Sequence, residues 1–322
     1  MKKITKLLSA GLLGMALTAP ALIAADAAAE TRVTYKSAKS TSSYYQMAVQ
    51  VAEAVKKATG GAMVLTVEES QGSVQNVKES ARRPGNYVFT TPPVLVKLAM
   101  ANKGKFEDST DYTSIRALFP IPSLTMHYVV RGDSGVTSFD ELAGKSFIIG
   151  KGSFGASEAA KNFKLFGLDG KVKLVDAELN AAVPALKNRQ VDGFATAGSY
   201  PAPNVIEAAA GTEVQLLSMT DEQIKATKRT KLVIPAGTYP GIDKDVNTTS
   251  LPVVAYTTTK MSDDDAYTLT KSYWEAKGSM GSSAKWWDGV KPEMLANVIG
   301  KLHPGAARYY AEAGIAIPDA IK

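Results

Sequence analysis

The stretch Ser146–Ser157, SFIIGKGSFGAS, runs an apolar strand into Gly150-x-Gly152-x-x-Gly155 as an alanine-rich helix begins. Glycines at this spacing let the chain turn tightly and bring backbone N–H groups close to a pyrophosphate. Asp176, 21 residues beyond Gly155, stands where an acid would hold the ribose of a dinucleotide. One reading is therefore an exported nicotinamide-binding enzyme. The physical requirement is broader, however, because the first N–H groups of any helix lack partners within it and stabilise any anion placed there.

The rest of the chain offers this enzyme little. No residue suited to proton transfer lies near the turn, and the unit around it has only about three strands. Of the two histidines, His127 sits in an extended apolar segment and reads as a satisfied structural residue, while His303-Pro304 reads as a helix start. There is no cysteine, which excludes disulfides and thiolate metal sites. Asp243-x-Asp245-x-Asn247 imitates the start of a calcium loop, but Thr248 stands where glycine is needed and Val254 where a bidentate glutamate belongs. It reads as a hydrogen-bonded turn. Neither a catalytic residue, a metal nor a cofactor is expected.

At the N-terminus, Lys2, Lys3 and Lys6 precede an apolar run from Leu7 to Ala19, then small residues to Ala29. This is the pattern of a secretory signal peptide, residues 1–29, cleaved near 27–29, and it predicts a periplasmic protein. The run stops at Pro20, short of the roughly 20 residues a membrane span needs. The paired lysines are also not the twin arginines used by many exported proteins that carry a bound redox cofactor. The formal charge of +6 is dispersed, with Arg82-Arg83 the one adjacent arginine pair, so nucleic acid is not an expected partner.

Two strand-helix-strand-helix-strand units follow from the periodicity. The first has strands Thr31–Tyr35, Met63–Glu68 and Tyr87–Thr90, with helices over about Tyr45–Ala58 and from Ser73, whose hydroxyl is suited to capping. The second has strands Phe147–Ile149, Val172–Val175 and Val191–Thr196, with helices Gly155–Phe166 and about Asn180–Asn188. Long Pro- and Gly-punctuated extended segments follow each unit, and three helices close the chain: one from Ser262, one over about Pro292–Leu302 and one over about Pro304–Ala313. Alternation of this kind predicts an α/β protein with two parallel-rich sheets flanked by helices and joined by connecting strands.

Ligands of open α/β sheets bind beyond the carboxyl ends of the strands. Here those ends carry the loops Ser37–Ser43, Gln71–Asn76, Thr90-Thr91, Gly150–Ser157 and Gly198–Pro201, rich in hydroxyls, amides and glycine and poor in charge. Helices starting near Ser73 and Gly155 would turn their positive ends into the cleft, which suits a carboxylate.

The segments "VEESQGSVQNV", "VVRGDSGVTSFDELAGK", "IPAGTYPGIDKDVNT" (Ile234–Thr248) and "LHPGAARYYAEAGI" (Leu302–Ile315) resemble the TAXI-type solute-binding subunits of TRAP transporters over nearly the whole mature chain. The resemblance implies a two-lobed, type II periplasmic-binding-protein-like fold that closes on a small solute and delivers it to membrane permease subunits driven by an ion gradient. It implies a dicarboxylate, amino acid or oxo acid as solute. Combined with the loops above, it gives the expected ligand residues Ser40, Thr41, Ser43, Tyr44, Tyr45, Gly72, Ser73, Asn76, Thr90, Thr91, Gly152, Ser153, Phe154, Gly155, Ser157, Ser199, Tyr200 and Pro201. Where the family is usually glycine-rich before its paired tyrosines, this chain has Thr41, Ser42 and Ser43, side chains that should reshape the pocket. The expected lobes are 30–122 plus 251–322 and 123–250. Besides the enzyme, a periplasmic sensor subunit of a membrane receptor is the alternative.

Overall fold

The computed structural model describes residues 30–83 and 85–322; the expected signal peptide, residues 1–29, lies outside the described residues. The chain forms β1 (Thr31–Lys36), α1 (Ser43–Ala58), β2 (Met63–Glu68), α2 (Ser73–Ser80), β3 (Tyr87–Thr91) and α3 (Pro93–Met100), then the long β4 (Ile115–Arg131). It continues with β5 (Ser146–Ile148), α4 (Phe154–Leu165), β6 (Lys173–Val175), α5 (Ala182–Lys187), β7 (Gly193–Gly198), α6 (Pro203–Gly211), β8 (Val214–Leu216), α7 (Asp221–Thr227) and β9 (Thr230–Ile234). A second long strand, β10 (Val246–Thr258), leads to α8 (Asp263–Ser283), β11 (Lys301–Leu302) and α9 (Pro304–Glu312).

The strand order is β2-β1-β3-β10-β4-β7-β5-β6, with β8 and β11 on β4 and β9 on β10. The two parallel-rich sheets are the ends of this arrangement: β2, β1 and β3 run parallel, as do β7, β5 and β6. Between them β10 and β4 pair antiparallel and make the sheet continuous. Each long strand serves both ends: β4 meets β10 through Ile115–Thr125 and β7 through Thr125–Val130, while β10 meets β3 through Val254–Tyr256 and β9 through Val246–Ser250.

The crossover lies where prolines interrupt the ladder. Pro120, Pro122 and Pro252 lack N–H groups, and the β10–β4 register slips between Leu251 and Val253. Side chains take up the carbonyls there: the hydroxyls of Tyr273, Tyr44 and Ser199 donate to the carbonyls of Pro120, Pro122 and Ser123 at 2.7, 3.1 and 2.7 Å. Buried carbonyls need such partners.

One apolar cluster runs through the first lobe and along β4 to α4, through Phe139, Phe147 and Phe163. A second, holding Val183, Leu186, Val205 and Tyr239, packs α5 and α6 on the opposite face of β5 and β7.

Two expectations are corrected. The segment 292–302 is a 3₁₀ turn, Pro292–Asn297, followed by β11, because Leu302 joins β4 beside Ala117. The N-cap of α2 is Gly72 with no side-chain cap, so Ser73 is the first helical residue and not the capping one. Three helices carry no matching expectation: α3, which starts at Pro93 within an apolar run, and the short α6 and α7.

Candidate functional site

The carboxyl ends of β1, β2, β3 and β5 meet at one cavity of about 50 Å³ between the two ends of the sheet. It is lined by Ser37, Lys39, Ser42 and Tyr44 after β1, by Gln71, Gly72 and Ser73 after β2, and by Thr90 and Pro92 at the end of β3. From the other side come Gly150, Lys151, Ser153, Phe154 and Gly155, with Leu179, Thr196 and Ala197.

Four helices begin at this cavity. Ser42 and Ser153 are the N-caps of α1 and α4, their hydroxyls accepting the N–H groups of Tyr45 (3.3 Å) and Ala156 (2.9 Å), and Gly72 and Pro92 are the N-caps of α2 and α3. Each helix start concentrates unpartnered N–H groups and partial positive charge. Two lysines add to this, whereas no aspartate or glutamate lines the cavity. Lys39 is bonded to Glu178 at 2.7 Å and Lys151 to Asp176 at 2.6 Å, both acids standing outside the lining. The bond to Asp176 raises the Lys151 pKa, and the bond from Lys39 holds Glu178 below the usual carboxylate range.

The walls are fixed from behind. Asn76, fully buried, donates from Nδ2 to the carbonyls of Ser37 (2.7 Å) and Thr90 (3.1 Å), locking α2 against the ends of β1 and β3. Ser70 donates to the Ser37 carbonyl at 2.9 Å and accepts the Gly72 N–H at 2.9 Å. The Ser37 hydroxyl donates to the Tyr44 carbonyl at 2.7 Å. Burial pushes the Tyr44 hydroxyl pKa up, so this residue is a neutral wall of the site.

The glycine motif has a full local account. Gly150 and Gly152 adopt φ of 79° and 77°, which form the turn between β5 and α4. Gly155 serves packing: a Cβ there would lie 2.6 Å from the Ala197 Cβ, so only glycine lets α4 sit this close to β7. Asp176, the acid in position for a ribose, is engaged by Lys151. At about 50 Å³ the cavity is far too small for a dinucleotide.

Of the expected ligand residues, Tyr44, Gly72, Ser73, Thr90, Ser153, Phe154 and Gly155 line the cavity. The structure does not bring the others to it. Asn76 stands behind its wall. Ser40 gives its N–H to Glu69 at the surface, Tyr45 is half-buried on α1, and the Thr41 hydroxyl is buried without a partner. Thr91 is buried at the end of β3, its hydroxyl donating to the Pro92 carbonyl. Gly152 and Ser157 border an outer groove with Lys78, Arg82 and Lys105. The Ser43 hydroxyl accepts the Ser199 N–H at 2.9 Å, a tie across the hinge.

Ser199, Tyr200 and Pro201 lie on a second concavity behind the hinge, about 750 Å³, with Pro122, Pro235, Lys285 and Trp286. The physical reason is the length of β7. It pairs with β5 only through Gly193 and Phe194, then runs on along β4 to Gly198 opposite Thr125, carrying the next loop past the cavity. The lining also holds residues outside the expected ligand set, among them Ser37, Lys39, Ser42, Gln71, Gly150 and Lys151, all within the expected loops. A search for cations in those loops would have found both lysines.

Residues 36–314 match the profile of the NMT1-like family. The chain belongs to that family. Among solved structures, this NMT1-like chain is similar to the periplasmic binding protein BugD, with a TM-score of 0.58 at 14% identity over 90% of this chain and 99% of that one. It is also similar, at a TM-score of 0.49 and 12% identity, to an ABC uptake transporter substrate-binding protein from Streptococcus pneumoniae with bound histidine (80% and 93% covered). A structure concerned with glutathione import in Streptococcus mutans matches at a TM-score of 0.49 and 14% identity (81% and 96% covered). The likeness to BugD establishes the two-lobed periplasmic-binding-protein fold of this NMT1-like chain.

Among the described residues no group of histidines, cysteines and acids is placed to hold a metal ion, and no helix is long and apolar enough to cross a membrane.

Proposed function

We propose that this chain is the periplasmic solute-binding subunit of a TRAP-type secondary transporter. It captures a small carboxylate-bearing solute between its lobes and hands it to membrane permease subunits. The observation that carries the reading is the cavity lining: four helix starts and two lysines, with no carboxylate among them. Such a lining favours an anion and holds it without covalent chemistry.

The lobes are residues 30–122 plus 251–322 and residues 123–250, turning about the proline-interrupted crossover of β4 and β10. The small volume favours the shorter members of the dicarboxylate, amino-acid and oxo-acid class. The TRAP assignment, as opposed to an ATP-driven importer, is supported by the Ile234–Thr248 and Leu302–Ile315 segments and their resemblance to TAXI-type subunits.

A thermal-shift screen of carboxylates, amino acids and oxo acids tests the ligand class. A solute at 100 times its Kd should add about 2.7 kcal/mol of stability. Stabilisation by amines or neutral sugars and by no carboxylate would overturn the anion reading. Reconstitution with the permease subunits in vesicles tests the transporter class: uptake should follow an imposed ion gradient without ATP, and a strict need for ATP would reassign it.

A further inference from the structure

The segment after β6 closes the mouth of the cavity from outside. Leu179 lines the cavity, Asp176 holds Lys151 within the second lobe, and Glu178, between them, reaches the first lobe. Its carboxylate lies 2.7 Å from Lys39 Nζ and accepts a hydrogen bond from Gln71 Nε2 at 3.3 Å. Gly152, on the facing turn, stands so near Gln71 that an added Cβ would lie 2.6 Å from its Oε1. Among the described residues, Lys39–Glu178 is the one ion pair that joins 30–122 to 123–250. Its lysine side chain is 18% exposed and its glutamate 36%, so water screens it only in part.

The placement separates two roles. Lys39 lines the cavity, whereas Glu178 does not; it borders only the outer surface with Glu69, Ser70 and Gln75. The tie exists only when the lobes are together, since opening would draw Lys39 and Glu178 apart and hydrate both. Its energy therefore belongs to the closed form alone. A solute meets the open form without it and must break it to leave.

Resting on the solute-binding reading above, we propose that Glu178 is the latch of the closed cleft, a positioning residue that acts through Lys39 and Gln71 and sets how long a solute stays. Removing it should speed release while leaving capture unchanged, because affinity differences within one site fall mostly on dissociation.

The chain has no cysteine, so Lys57→Cys on α1 and Lys161→Cys on α4, both exposed, accept spin labels cleanly. Interlobe distances are measured in this labelled protein and in its Glu178→Gln variant, without solute and with glutamate as the probe, at about 20 mM and about 500 mM sodium chloride. The closed-to-open ratio should fall about five-fold in Glu178→Gln, and the variant should lose most of the salt response of the parent. Stopped-flow release of glutamate should be about five-fold faster, with association within about two-fold. Equal closed-to-open ratios in parent and variant, or slowed association with unchanged release, would overturn the latch. If glutamate and the other carboxylates leave the parent's distances unchanged, the solute reading fails, while the latch is still judged on the solute-free ratios.

Discussion

The two sides of the β4–β10 crossover hold the two concavities that matter most, and they differ in opposite senses. The rear one is large, about 750 Å³, and walled by prolines, Tyr200 and Trp286, with no helix N-cap among its lining residues. The front one is small, about 50 Å³, yet four helices begin there and two lysines border it. Volume alone would choose the rear. Concentrated backbone N–H groups favour the front for an anion, which gains most where donors are already fixed in place.

Beneath the rear side lies a buried polar chain that supports the fold. The Ala202 N–H donates to the Tyr239 hydroxyl (2.8 Å), which donates to His127 Nε2 (2.8 Å), while His127 Nδ1–H donates to the Thr125 carbonyl (3.1 Å). This order requires neutral imidazole. Burial pushes the His127 pKa down to about 4 from an ordinary value of 6.5. The folded state therefore binds fewer protons than the unfolded state between these values, and stability rises with pH across that window.

The contrast can be broken at several points. The largest expected effect is on the rear side: acidification from pH 6.5 to 4 should cost about 3 kcal/mol through His127. Denaturant melts should show a smaller loss over the same interval in His127→Gln, and an equal loss would remove the histidine from the account. Next, Gly155→Val forces α4 off β7 and should cost about 2 kcal/mol of stability and much of the solute affinity.

At the front, Lys39→Gln should weaken an anionic solute about ten-fold, near 1.4 kcal/mol, measured by calorimetry. Ser153→Ala removes the α4 cap and should cost about 1 kcal/mol in thermal unfolding. Smallest of all, Tyr200→Ala should change solute affinity by less than about two-fold, since Tyr200 borders the rear. A loss comparable to that of Lys39→Gln would bring the rear concavity back as the binding site.

Much of this was legible in the chain. The apolar residues of Met63–Glu68, the glycine turn before α4 and the acidic first turn of α8 mark elements found at those places. His303 caps α9, as the His-Pro step implies, with its ring accepting the Gly305 N–H at 3.3 Å. Glu178 was illegible as a partner of Lys39, because nothing local relates residues 139 apart in sequence. Ser199–Pro201 misled for a related reason: a loop at a strand end is readable, whereas how far that strand overshoots its neighbour is not.

The sequence by itself determined the alternating elements, the helix starts and the glycine turn, since each depends on residues a few positions apart. Only the tertiary structure decided that four of those helix starts share one cavity and that Lys39 meets Glu178 across it. It also decided that Gly155 is needed for the approach of α4 to Ala197. These facts depend on strand order and strand length, which are set by packing between segments far apart in the chain.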